Sequence, residues 1–168
     1  PISDIIFGMG LFKISKRMEK SMNTFGFIGM GNMGYAMLKG ALNSFSKEDI
    51  IFTCPSSDRR EKISEETGVR FAESNAECAN NAKYIILAVK PQVYDVVLKN
   101  IHDIVTEESI VISLAPGITI TDIKRKLGDN IRVVRAMPNT PALVGEGMTG
   151  ISYNTCLLYT SDAADDRI

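Results

Sequence analysis

The chain has 168 residues, 45% of them apolar and 23% charged, with 19 Lys plus Arg against 20 Asp plus Glu. That apolar content supports one ordinary domain with its own core and excludes a disordered chain. The net charge of −1 gives no basic surface for nucleic acid, and no apolar run approaches the about 20 residues that span a bilayer.

Residues 1–21 run from an apolar stretch, Ile2 to Phe12, into Lys13, Lys16, Arg17 and Lys20. A secretory signal has the opposite order. Met22 directly precedes the first convincing strand, so residues 1–21 are read as a non-native or disordered extension. The alternative is a loosely docked N-terminal helix.

Thr24 to Gly29 is an apolar run rich in strand formers, and it predicts the first strand. Met33, Ala36, Met37, Gly40 and Ala41 recur at helical spacing, which predicts a helix from Asn32 to Phe45. Asp49 to Thr53 is the second strand. A polar helix follows from Asp58 to Thr67, stopped by Gly68. Val69 to Phe71 is a brief strand. Ser74 to Asn81 is a short helix, with Ser74 as N-cap and Glu77 three residues on. Tyr84 to Val89 is the strongest strand, and its continuous apolarity fits burial on both faces. Pro91 opens a helix over Gln92 to Asn100. Ser109 to Ser113 is a buried strand, Thr119 to Leu127 a helix ended by Gly128, and Ile131 to Met137 the last strong strand. Pro138 to Gly147 is a loop. From Thr155 onward the chain continues no earlier pattern, and residues 155–168 read as a non-native tail similar to adapter read-through.

Strands alternate with helices over residues 24–137. The expected fold is α/β, a Rossmann-like, doubly wound and mainly parallel sheet with helices on both faces, in one domain over residues 22–154.

The three cysteines, Cys54, Cys78 and Cys156, contain no CxxC pair, so neither a disulfide framework nor a structural zinc site is expected. A reducing, cytoplasmic setting is the default. The lone histidine, His102, excludes any site built from two or more histidines. It stands at a helix end and reads as a solvated or capping residue.

Gly29-Met30-Gly31-Asn32-Met33-Gly34 is a GxGxxG that follows a strand and opens a helix, the context in which this motif binds dinucleotides. Gly29 permits the tight turn, Gly31 lets a pyrophosphate approach the backbone, and Gly34 allows close helix–strand packing. The helix N-terminus offers free N–H groups and a partial positive charge to the phosphates. At the tip of the second strand an Asp or Glu would hold the ribose hydroxyl of NAD. This chain has Thr53-Cys54-Pro55-Ser56-Ser57-Asp58-Arg59-Arg60 instead. Hydroxyls and guanidinium groups suit a 2′-phosphate, which favours NADP over NAD. Against that stands a solvated helical turn with Asp58 as its N-cap.

Further segments line up at the ends of the later strands: Leu87-Ala88-Val89-Lys90-Pro91-Gln92, Ser113-Leu114-Ala115-Pro116-Gly117-Ile118, and Arg135-Ala136-Met137-Pro138-Asn139-Thr140-Pro141. With the glycine loop, they closely resemble pyrroline-5-carboxylate reductase over residues 22–154. The resemblance implies an oxidoreductase of proline biosynthesis. NADPH, or less well NADH, reduces the ring imine of 1-pyrroline-5-carboxylate to L-proline. It implies a cofactor site of Ile28, Gly29, Met30, Gly31, Asn32 and Met33 around the pyrophosphate. Ser56 lies at the ribose phosphate with Ser57 and Arg59 as helpers, and Asn75 lies near the adenine. Ala88, Val89, Lys90 and Pro91, then Leu114, Ala115 and Pro116, run along the nicotinamide half. Asn139 and Thr140 either reach toward the nicotinamide pocket or only form a turn between Pro138 and Pro141. Lys90 is either a charge near the cofactor or a strand-end lysine that reaches solvent.

Pro116 departs from the small residue more usual there and removes one backbone N–H. The family also has a second, helical domain that forms the homodimer or higher oligomer and supplies much of the imino-acid pocket. Too few residues follow Asn154 to provide it. The expected function is therefore that of the cofactor-binding domain, inactive alone. No catalytic residue or metal ligand is assigned. A free-standing NADP-binding module and another two-domain NADP oxidoreductase are the alternatives.

Overall fold

The computed structural model describes residues 23–138 and 149–153. The expectations for residues 1–21 and 155–168, and for Asn139 and Thr140, lie outside the described residues. In chain order the elements are β1 (Asn23–Ile28), α1 (Asn32–Ala41), β2 (Ile50–Thr53), α2 (Ser57–Thr67), β3 (Arg70–Phe71), α3 (Asn75–Asn80), β4 (Ala82–Leu87), α4 (Tyr94–Ile101), β5 (Ile110–Ser113), α5 (Ile120–Leu127), β6 (Arg132–Pro138) and β7 (Thr149–Tyr153). Short 3-10 helices precede β2 (Lys47–Asp49) and α4 (Pro91–Val93).

The strands form one seven-stranded sheet in the order β3-β2-β1-β4-β5-β6-β7. The first six are parallel, as the alternation of strands and helices predicts. β7 pairs antiparallel with β6, with Met137 opposite Gly150. The sequence reading assigned no strand to residues 149–153. Only ten residues separate β6 from β7, fewer than the dozen or so that a parallel crossover needs, so the antiparallel pairing is the one the chain length allows.

Alternation along each strand divides the core in two. Phe25, Phe27, Ile50, Phe52, Tyr84, Ile86, Ile110, Ile112 and Val134 pack with Met37 and Leu38 of α1 and Ile63 of α2. Gly26, Ile28, Ile51, Ile85, Leu87, Val111 and Val133 lie on the opposite face, where α3, α4 and α5 contribute Cys78, Tyr94, Leu98 and Ile123. Burial on both sides explains why these strands read as continuous apolar runs. α3 lies so close to β1 that a Cβ at Gly26 would stand 2.7 Å from Ala82 Cβ and 3.1 Å from Cys78 O.

Several boundaries differ from the expectation, each for a local reason. α1 ends at Ala41 rather than Phe45, because the chain tightens into turns that place the Phe45 ring 4.4 Å from that of Phe25. The N-cap of α2 is Ser56, whose hydroxyl accepts from the Arg59 N–H at 3.3 Å, so Asp58 sits inside the first turn and caps nothing. Gly68 ends α2 in the left-handed conformation, as expected. Ser74 caps α3, but the Glu77 carboxylate accepts from Glu73 N–H, one residue before the cap. The first turn after Pro91 is 3-10, and the α-helix begins only at Tyr94. Thr119 and Asp122 complete a reciprocal capping box on α5.

Candidate dinucleotide-binding site

The strand order reverses direction between β1 and β4, and the turns that leave β1, β2, β4 and β5 gather at the carboxyl edge of the sheet. In open α/β sheets this crevice is where ligands bind. Backbone hydrogen bonds extend the ladder past the strand ends and hold these turns in a row. Gly29 N–H donates to Thr53 O at 2.9 Å, Ala88 N–H to Ile28 O at 2.9 Å, and Leu114 N–H to Leu87 O at 3.2 Å.

The three motif glycines do three different things. Gly29 has φ +100°, and a Cβ there would lie 2.6 Å from Val89 Cγ1 and 2.7 Å from Ala88 O. A Cβ at Gly34 would collide with Gly29 O and come within 3.0 Å of Ala88 Cβ. Both glycines are therefore required by the protein itself. Gly31 differs: its φ is −69°, ordinary for any residue, and a Cβ would meet nothing within 4 Å. Protein packing gives no reason for a glycine there. A ligand pressed against the backbone does. Gly31 is also the N-cap of α1, without a side-chain cap and with no acidic residue in the first turn. The first-turn N–H groups of α1 are thus open to an anion.

Ile28, Met30 and Ala115 turn their side chains into the core, at 1%, 2% and 2% exposure. These three can face a ligand only through their backbone. Asn32 and Lys90 are exposed, and Met33, Asn75, Ala88, Val89, Pro91 and Leu114 are partly buried. Pro116 is exposed beside Gly117, which has φ +78°.

The tip of β2 carries no carboxylate. Thr53 is buried, and its hydroxyl donates to Ala72 O at 2.8 Å. Ser56 and Ser57 are exposed, and the Ser57 hydroxyl donates to Asp58 at 3.3 Å. The two arginines that follow are not equivalent. Arg60 folds inward, donating to Cys54 O and to the Glu73 carboxylate, each at 2.6 Å, with its guanidinium 5.7 Å from the Phe71 ring centre. It is a structural clamp between β2 and the end of β3. This corrects the sequence reading, which counted both guanidinium groups toward a phosphate. Arg59 stays exposed and donates from Nε to Met30 O at 2.7 Å. No local signal reveals this link, which joins residues 29 apart in sequence.

These groups fit a dinucleotide with a 2′-phosphate: an open cradle at Gly31, an uncapped helix start, and a cation with a hydroxyl at the β2 tip. His102 lies at the far end of α4, 2.7 Å from Asp103, and takes no part. Among the described residues no group of His, Cys, Asp and Glu is arranged to hold a metal ion. No described helix is long and apolar enough to cross a membrane.

Comparison with known proteins agrees with this geometry. The pyrroline-5-carboxylate reductase of Escherichia coli K12 is 40% identical over 151 residues, covering 88% of this chain and 54% of that protein. The solved pyrroline-5-carboxylate reductase of Coxiella burnetii superimposes with a TM-score of 0.76 at 37% identity, over 81% of this chain and 51% of its own. The Plasmodium falciparum pyrroline carboxylate reductase, solved with NADP bound, gives 0.70 at 31% identity, over 83% and 54%. The chain thus spans about half the length of the relatives it matches. The family described as NADP oxidoreductase, coenzyme F420-dependent, matches residues 24–117. That match runs over more than half of the 168 residues, and the chain belongs to this family.

Proposed function

We propose that residues 22–154 form the NADP-binding domain of a pyrroline-5-carboxylate reductase, an enzyme that reduces 1-pyrroline-5-carboxylate to L-proline. The observation that carries the cofactor half of this reading is Gly31, an unstrained glycine in open space at the uncapped start of α1. The similarity to reductases of that name supports the reaction.

In this reading the amides from Gly31 to Met33 bind the pyrophosphate, and Gly29 shapes the turn that presents them. Arg59 and the Ser56 hydroxyl bind the ribose 2′-phosphate, with Ser57 beside them, and NADP is favoured over NAD. Asn75 lies on the adenine side. Ala88 to Pro91 and Leu114 to Pro116 line the nicotinamide half. A nicotinamide cofactor held there would supply the hydride for the imine carbon. These backbone turns orient the ring and exclude water from one side of it. In this reading the rest of the imino-acid pocket and the proton donor are expected from the part of the relatives' length that this chain does not match. The buried free thiols of Cys54 and Cys78 suit a reducing, cytoplasmic setting.

Titration calorimetry of the chain with NADPH and NADH tests the cofactor half, with NADPH expected to bind the more tightly. Binding of neither nucleotide overturns it. Grafting the chain onto the remainder of a relative tests the reaction: consumption of NADPH on addition of pyrroline-5-carboxylate is expected, and its absence in a graft that binds NADPH refutes it.

A further inference from the structure

Two of the turns assigned above to the nicotinamide half leave adjacent strands, β4 and β5, and a single buried phenol links them from beneath. Tyr94 opens α4 on the face opposite α1, and it is 1% exposed. Its hydroxyl donates to Leu87 O, the last carbonyl of β4, at 3.1 Å. The same oxygen lies 2.9 Å from Ser113 Oγ, at the last residue of β5, which is fully buried. A carbonyl only accepts, so the one phenolic proton goes to Leu87 and the Ser113 hydroxyl donates to Tyr94. Leu87 O takes a second hydrogen bond from Leu114 N–H at 3.2 Å. Burial holds the Tyr94 pKa above its ordinary value, outweighing the Ser113 hydroxyl and the Ala115 and Leu114 amides, which lower it. The phenol therefore stays neutral and remains a donor.

This arrangement has no packing rationale of its own. A phenylalanine would fill the same space without placing a polar atom between two strand ends. A buried, fully satisfied polar network specifies one geometry where apolar packing would tolerate several. Here it sets the separation of the residues just beyond the strands, Ala88 to Pro91 and Leu114 to Pro116. Pro116 has no N–H, so the second turn has one fewer backbone bond with which to fix itself.

Resting on the cofactor reading above, we infer that Tyr94, held by Ser113 and Leu87, is a positioning residue for the nicotinamide half of the bound dinucleotide. It touches no ligand and acts through the two turns it joins. The adenosine half is held by β1, β2 and α1, and only the packing of the glycine loop on Ala88 and Val89 connects it to these turns.

The test compares two ligands on the whole chain by titration calorimetry: NADPH, and adenosine 2′,5′-bisphosphate, which carries the adenosine with its 2′- and 5′-phosphates but neither the second phosphate of the pyrophosphate nor the nicotinamide. Tyr94→Phe is expected to weaken NADPH about five- to tenfold, the range expected for one buried hydrogen bond, and to leave the bisphosphate unchanged. Unchanged NADPH binding overturns the inference. So does an equal loss for both ligands, which is what general loosening of the fold would produce. Ser113→Ala is expected to act in the same direction and more weakly, and it decides by the same comparison if Tyr94→Phe does not fold. If the unaltered chain binds neither ligand, the cofactor reading itself fails, and the inference with it.

Discussion

Replacing Gly31 and Gly29 by alanine, one at a time, separates a glycine kept for a ligand from one kept for the fold. At Gly31 the backbone is ordinary and the new methyl meets nothing within 4 Å. Reduced freedom of the unfolded chain favours alanine by about 0.4–1 kcal/mol. The poorer N-capping of alanine opposes this by a similar amount. Stability should therefore stay within about 1 kcal/mol of the parent. The same methyl stands where pyrophosphate oxygens would approach the α1 amides. Losing one hydrogen bond to a charged group costs about 1.5–3 kcal/mol. NADPH affinity should accordingly fall about ten- to a hundredfold. At Gly29 the φ of +100° and the contacts of 2.6 and 2.7 Å to Val89 and Ala88 reverse the pattern. Left-handed strain of about 1–2 kcal/mol and overpacking of about 1–3 kcal/mol give a loss of about 2–5 kcal/mol. Urea unfolding and NADPH titration of both variants read the two quantities. The reasoning is refuted if Gly31→Ala binds NADPH like the parent, or if it loses as much stability as Gly29→Ala.

The two arginines at the β2 tip should also part company. Arg59→Met is expected to lower NADPH affinity about tenfold, the range of a charge-assisted contact, and NADH affinity less; an unchanged NADPH-to-NADH ratio would remove Arg59 from phosphate recognition. Arg60→Met breaks its bonds to Cys54 O and Glu73, so it should cost about 2–3 kcal/mol in urea unfolding and leave that ratio untouched. Burial pushes the Cys78 thiol up to about 12. It therefore stays protonated in the folded chain while its unfolded counterpart ionises near pH 9. Stability should then fall as pH rises from about 9 toward 12, by about 1.4 kcal/mol per unit from this group, and a Cys78→Ala variant should show a shallower decline. The hydroxyl and amide of Thr119 hold the Asp122 carboxyl below the usual carboxylate range. Its cap on α5 is thus in force at neutral pH and is lost as pH falls through that lowered value. Thermal melts of Asp122→Asn and the parent should differ at pH 7 and converge in strong acid.

The sequence by itself determined the alternation of strands and helices, the parallel order of most of the sheet, and the glycine loop with its helix. All of these follow from patterns a few residues long: doubly buried strands read as apolar runs, and caps such as Ser74, Thr119 and Gly68 stand at helix ends. It also marked the carboxyl-edge turns, because Gly and Pro punctuate them. Residues 149–153 escaped this reading because an edge strand owes its existence to a partner, here β6, rather than to its own periodicity.

Only the tertiary structure decided which polar groups remain available at the site. Arg59 and Arg60 are adjacent in sequence, yet one helical step turns the first toward Met30 O and the second under Phe71 and Glu73. Gly29 and Gly31 look alike in the motif, and only the surroundings of their missing side chains tell them apart. Tyr94 is only one residue of an expected helix until the ends of β4 and β5 are brought to its hydroxyl. In each case the deciding partner lies elsewhere in the chain, and hydrogen-bond geometry, which sets the chemistry of the site, exists only after those segments meet.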